Sequence, residues 1–185
     1  MKEYTRKYPE FSLCGLNCVL CPRFHTDGTS KCPGCGGIDF FNKHPACSVI
    51  TCSKKHGDME FCFECNEYPC KKYQVESNQD SFITYKNVLA NMAFAEKNLE
   101  QYVKEIRERQ QYLEELIINY NDGRQKNFYC VAVNLLSTDD MRTCMAKIRE
   151  ITGSGIEIKE KAKEARRIIE EIAEKKKIKI ELRKK

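Results

Sequence analysis

No stretch of the sequence approaches the roughly 20 consecutive apolar residues that cross a bilayer. The opening MKEYTRKYPEF also lacks the apolar core of a secretory signal. A cytoplasmic protein with no membrane partner is therefore expected. A strong charge of one sign is missing as well: a net charge of +5 and a pI of about 8.5 are too mild to argue for nucleic acid. Absent too are a glycine-rich phosphate loop, a His-Glu-x-x-His helix and a Gly-x-Ser-x-Gly elbow, so no motif in the chain demands catalysis. Histidine is scarce. His25, His44 and His56 each sit in segments rich in Gly, Asp, Ser and Lys, where they read as polar loop residues.

Cysteine, by contrast, is plentiful. Ten of the twelve fall in the order Cys14-x3-Cys18-x2-Cys21, Cys32-x2-Cys35, Cys47-x4-Cys52 and Cys62-x2-Cys65-x4-Cys70. Two thiolates on one tight Cys-x2-Cys turn can reach a single ion at roughly 2.3 Å without straining the backbone. In a reducing compartment such a crowd fits metal ligands better than a disulfide framework. Pro22 suits the first position of a helix, so residues 22–25 read as a helical turn leading away from the metal. Cys32-Pro33-Gly34-Cys35-Gly36 reads as a zinc-ribbon knuckle, with Gly36 left-handed so that backbone N–H groups turn toward sulfur. Cys62-Phe63-Glu64-Cys65-Asn66 repeats that logic with Asn66 in the glycine position.

Ligand arithmetic leaves two partitions: two four-cysteine sites with two thiols spare, or three sites that use all ten cysteines and two histidines. The first is favoured and gives about two zinc ions per chain. The ligands would be drawn from Cys14, Cys18, Cys21, Cys32, Cys35, Cys47, Cys52, Cys62, Cys65 and Cys70. Two such centres would lower the nominal charge of +5 to about +1. An iron–sulfur cluster is the alternative, because Cys14-x3-Cys18-x2-Cys21 resembles the three-cysteine motif of radical-SAM enzymes. Those enzymes need a large βα barrel for which this chain is too short. Leu20 also stands where an aromatic residue usually precedes the third cysteine.

Taken together, C-G-L-N-C-V-L-C-P from Cys14, C-P-G-C-G from Cys32, the Cys47/Cys52 pair and C-F-E-C-N-E-Y-P-C-K-K from Cys62 resemble a prokaryotic cysteine-rich family, domain of unknown function 3795. The resemblance spans residues 14–73. It implies a metal-binding module with no established activity.

From Ser81 onward the apolar positions Tyr85, Val88, Met92, Ala95, Leu99, Tyr102, Ile106, Leu113, Leu116 and Tyr120 step by threes and fours and predict helix. Arg109 on that stripe argues against a free coiled coil and for packing against the chain itself. Asn98 and Gln101 read as a capping box, so one helix or two meeting near residues 95–98 are equally compatible. Turn chemistry at residues 119–123 stops this run. Phe128, Val131, Ala132 and Leu135 then predict a helix, with a buried strand as the alternative. Residues 137–140 cap a helix burying Met141, Cys144, Met145, Ile148 and Ile151. After a loop over residues 152–155, a last helix buries Ile158, Ala162, Ala165, Ile168, Ile169 and Ile172. Cys130 and Cys144 lie among apolar neighbours and are assigned to packing. Residues 177–182 alternate with period two and read as a short strand pairing near residues 39–41 or 60–63.

The expected fold is thus mainly α: an irregular, zinc-stapled region over residues 1–75 with knuckle turns and little β, a helical region over residues 80–185, and a short C-terminal strand. The expected function is a structural-zinc binding or adaptor module for a protein partner. An iron–sulfur or thiol redox protein is the alternative. Nucleic-acid binding through residues 175–177 and 183–185 is weaker, since Glu170, Glu171 and Glu174 interleave the basic run.

Overall fold

In the computed structural model, which describes residues 4–44, 46–74, 79–151, 153 and 155–184, the apolar stripe that follows Ser81 forms two helices. The α-helices of the described residues are α1 (Phe40–Lys43), α2 (Ser48–Lys55), α3 (Lys71–Gln74), α4 (Val88–Lys97), α5 (Leu99–Asn119), α6 (Lys126–Leu135), α7 (Thr138–Ile151) and α8 (Ile158–Lys175). Short 3-10 turns occupy Cys18–Leu20, Gly28–Ser30 and Cys62–Glu64. The fold is mainly helical, as expected. None of these helices is long and apolar enough to cross a membrane.

The junction of α4 and α5 is Asn98, whose backbone is non-helical (φ −157°) and whose Oδ1 accepts the Gln101 N–H at 3.0 Å. Half of the capping box forms, because the Gln101 amide donates forward to Glu105. The helix also begins at Val88, later than the stripe suggests. Asp80 and Thr84 side chains accept the N–H groups of Tyr85 (2.9 Å) and Lys86 (3.2 Å), holding that segment in turns.

Arg109 has its place on the α5 stripe because α6 ends against it. Its Nη1 donates to the carbonyls of Val133 (3.0 Å) and Leu136 (3.3 Å), groups at a helix C-terminus that lack intrahelical partners and favour a cation. Tyr129, Cys130, Val131, Ala132, Val133 and Asn134 are all buried in α6. Burial nearly all round explains why a strand pattern could be read there, and the helix is the reading that holds. In α7, Ser137 Oγ accepts the Asp140 N–H at 3.1 Å, and Met141, Cys144, Met145 and Ile148 are sealed. Two expected core positions are corrected: Ile151 is 46% exposed and Ile158 is 43% exposed, because both lie at helix ends past the packed face. Of the intervening loop, Thr152 and Ser154 lie outside the described residues.

The expected C-terminal strand is also corrected. The C-terminus of α8 is closed by a residue in the left-handed region, Lys177 (φ 57°). Lys177 N–H donates to Glu174 O at 2.9 Å and Ile178 N–H to Ala173 O at 2.8 Å. This reverse turn carries Ile178 and Ile180 back against the core, so the alternation reports two apolar contacts and no ladder. The proposed strand partners are themselves helical, Phe40 lying in α1 and Cys62–Glu64 in a 3-10 turn. Arg183 meets Asp80 instead: its N–H and guanidinium donate to that carboxylate, and Asp80 N–H donates to Arg183 O at 2.9 Å. Lys185 of the terminal basic run lies outside the described residues.

Phe11, Val19, Leu20 and Phe61 of the cysteine-rich segment are buried in the same cluster as the apolar faces of α4 to α8. A smaller cluster of Tyr4, Leu13, Cys35, Phe40 and Ile50 lies within that segment. Between the two stretches, residues 75–78 lie outside the described residues.

Replacing Arg109 with Ala removes two charge-assisted hydrogen bonds and leaves buried carbonyls unpaired. Arg109→Ala is expected to lower unfolding stability by about 2–4 kcal/mol, read from urea denaturation. A loss below about 0.5 kcal/mol would mean the guanidinium does not hold the end of α6.

Candidate metal centre

All twelve cysteines carry free thiols. Their positions follow from a loop that the helices hold by polar contacts. Ser12 N–H donates to Leu16 O at 2.8 Å, folding residues 12–16 into a turn that carries Cys14. Gly15 (φ 92°) is required there, since a Cβ would lie 2.6 Å from Val88 O at the start of α4. Asn91 of α4 donates to Gly15 O at 2.8 Å, Tyr102 of α5 to Asn17 Oδ1 at 2.6 Å, and Asn134 of α6 to Leu20 O at 3.1 Å. Cys14, Cys18 and Cys21 are therefore hung from three helices. Residues 22–25 form a turn, closed by Phe24 N–H donating to Cys21 O at 3.0 Å, that does not extend into a longer helix.

The Cys32–Cys35 knuckle forms with Gly36 left-handed (φ 78°), and the Arg6 side chain lies where a Gly36 Cβ would stand. Asn66 does not repeat this. Among the described residues positive φ outside glycine is confined to Asp39, Asp58 and Lys177. The second Cys-x2-Cys instead closes a 3-10 turn, Cys65 N–H donating to Cys62 O at 3.1 Å.

The thiols fall into neighbourhoods. Cys14, Cys18, Cys35 and Cys47 lie close enough for charge on one to disfavour charge on the next. Cys52, Cys62, Cys65 and Cys70 line a cavity of ≈ 30 Å³ together with His56 and Tyr73. A volume of that size exceeds what a single water requires. The two groups adjoin, since Cys62 also senses Cys14. Cys21 pairs with Cys32 and adjoins both Cys18 and the buried Cys130 of α6. Among the described residues, no three His, Cys, Asp or Glu side chains stand together closely enough to hold an ion.

Burial dominates the acidity of these thiols. It pushes Cys14 up to about 11 and Cys62 up to about 12, and raises Cys18 well above the ordinary thiol range. It also raises Cys35, against the opposing pull of the Arg6 guanidinium beside it.

Three polar side chains that the cysteine pattern does not point to converge on the sulfurs. Arg6, its side chain 2% exposed, donates to Cys35 O at 3.4 Å and Glu60 O at 2.6 Å, and pairs with the Glu60 carboxylate at 3.0 Å. Its Nε nonetheless has no partner. The buried hydroxyls of Tyr4 and Tyr73 likewise have no nitrogen or oxygen partner. Tyr4 is next to Cys35, and Tyr73 next to Cys62 and Cys14. The available signal was the run of basic and aromatic residues flanking the cysteines, which a search for ligand spacing passes over.

Of the histidines, His25 is half-buried, its Nε2 lying 2.5 Å from Val19 O. His44 stacks on Phe40 with ring centroids 4.7 Å apart. His56 Nδ1 lies 3.7 Å from Cys65 Sγ. Cys130 and Cys144 are buried in the helical core, where burial pushes both thiols up to about 12.

No curated protein and no solved structure matches the chain. Over residues 10–75 the chain is similar to the family described as protein of unknown function (DUF3795), which bears out the likeness read from the cysteine spacing.

Proposed function

We propose that the chain is a zinc-binding module in which thiolates staple the cysteine-rich segment against the helical bundle, and that it serves as a binding or adaptor protein. The observation that carries this reading is that the buried donors Tyr4 Oη, Arg6 Nε and Tyr73 Oη have no nitrogen or oxygen partner and lie beside cysteine sulfurs. A neutral thiol is a poor acceptor, and a buried donor left unpaired costs about 1–3 kcal/mol. A metal-bound thiolate is a charged acceptor and relieves that cost. The residues that would hold the first ion are Cys14, Cys18, Cys35 and Cys47. The second would be held within the group lining the cavity, Cys52, Cys62, Cys65 and Cys70. Bound zinc would cross-link segments distant in sequence, a contribution of roughly 10–16 kcal/mol in apparent binding energy. Exposed Ile38 and Phe41, beside the Cys32–Cys35 knuckle, suit an apolar contact with a protein partner.

A thiol redox protein is the second reading, favoured by Cys21 and Cys32, a neighbouring pair left over once four thiols are assigned to each ion. An iron–sulfur centre would use the same thiolates.

Protein purified without oxygen is expected to be colourless and to carry about two zinc ions per chain by elemental analysis. A brown preparation containing iron and sulfide would overturn the zinc reading. Tyr73→Phe, which removes one hydroxyl, is expected to weaken zinc binding about 10-fold or more in a chelator competition. Were the thiols neutral and metal-free, the same change would leave stability unchanged or improve it.

The raised thiols set the direction of the pH dependence. With Cys14 at about 11 and Cys62 at about 12, both are protonated at neutral pH before metal binds. Binding must expel those protons, so affinity rises with pH and falls as the solution is acidified. About four protons released per ion are expected from a four-thiol set, measured with an indicator dye in weak buffer. Release near zero would mean the ion is not bound by these sulfurs.

A further inference from the structure

The cavity bounded by α2 and the Cys62–Glu64 turn offers more donors than one tetrahedral ion takes, with Cys52, His56, Cys62, Cys65 and Cys70 all lining it. We propose that His56 is a metal ligand and that this centre is closed by Cys52, His56, Cys62 and Cys65, three sulfurs and one nitrogen, with Cys70 outside the coordination sphere. The inference rests on the zinc reading above and refines its second ligand set.

The first support is a distance. A sulfur at roughly 2.3 Å and a nitrogen at roughly 2.05 Å on one tetrahedral ion stand about 3.6 Å apart. Cys65 Sγ and His56 Nδ1 are separated by 3.7 Å. Cys52 and Cys62 line the same cavity and sense one another, so binding draws these two sulfurs in to complete a group that does not stand at ligand distance beforehand.

The second support is spacing on ordered elements. Cys52 lies in α2 and His56 at its C-cap, four residues on, so both face the same side. Cys62 and Cys65 bracket a single 3-10 turn. Two short-spaced pairs from separate elements are the usual construction of a structural zinc site. Cys70 also lines the cavity and lies near Cys62, but it has no second donor at such a spacing on its own element, standing just before α3.

The third support is the chain reversal that follows His56. His56 N–H donates to Ser53 O at 2.9 Å and Asp58 N–H to the same carbonyl at 3.0 Å. Gly57 (φ 101°) and Asp58 (φ 55°) are both left-handed. The buried Ser53 hydroxyl donates to Met59 O at 3.1 Å, pinning the returning strand of the loop. Cys62 N–H then donates to Leu13 O at 2.8 Å, which fixes the second pair opposite the first. An imidazole in place of a fourth thiolate also reduces the charge of the centre by one unit. At the first centre that compensation comes from the Arg6 guanidinium.

The test uses the full-length chain, purified without oxygen, with zinc counted by mass spectrometry of the native protein and with cobalt substituted for its visible spectrum. His56→Ala is expected to lose one ion, or to bind it at least about tenfold more weakly, while Cys70→Ala keeps both. His56→Cys is expected to keep both ions and to shift the cobalt bands toward those of an all-sulfur site, a gain that misfolding could not mimic. If wild type binds its ions and His56→Ala changes neither content nor spectrum, or if Cys70→Ala loses an ion, the ligand assignment is overturned and the zinc reading stands. If wild type binds neither zinc nor cobalt, the zinc reading itself fails.

Discussion

A buried loop must find partners for its peptide groups, and the cysteine-rich segment finds them on the helices. Asn91, Tyr102 and Asn134, from α4, α5 and α6, each reach a group between Gly15 and Leu20. Tyr102 and Asn134 do so from within the core. Phe11, Val19, Leu20 and Phe61 fill the space around those contacts. Displacing any one of the three donors would strand a polar group in an apolar setting, so the loop has one seat on the bundle. The sulfurs of Cys14, Cys18 and Cys21 inherit their positions from that seat.

The electrostatics of the segment are arranged on the same principle. Glu60 neutralises Arg6 and also accepts the N–H groups of Lys7 (3.2 Å) and Tyr8 (2.9 Å), so one carboxylate fixes both the lead-in chain and the guanidinium. The Arg6 side chain then crosses the knuckle over Gly36 and comes to rest beside Cys35. A fixed cation near buried sulfur favours the thiolate over the thiol. The tyrosine hydroxyls act in the same sense by offering protons to sulfur.

Much of the helical half was legible because a period of 3.6 with polar flanks survives in sequence as a stripe. The break at Asn98, the cap at Ser137 and the buried faces of α7 and α8 are local events, decided within four residues of chain. Arg109 was recognisable as an intruder on its stripe, although its partners lay in α6 and only the fold could supply them. The C-terminal alternation misled because a reverse turn at Lys177 and a strand place every second residue on the same side. In the cysteine half, spacing identified the sulfurs and the family likeness but could not assign neighbours. Cys14 meets Cys35 and Cys47 through the tertiary fold. Tyr4, Arg6 and Tyr73 were unmarked for the same reason.

The hydrogen bond between Asn134 and Leu20 joins residues 114 positions apart. A ribosome adding roughly 5–20 residues per second needs about 6–23 s to cover that interval. For about that time after leaving the exit tunnel, the first cysteines wait for the amide that seats their loop to emerge in turn. The nascent chain therefore presents a cluster of accessible thiols to the cell's metal pool and oxidants before it has a surface to fold against. Which ion the sulfurs meet first is then governed by the order of synthesis as well as by the affinity of the finished protein.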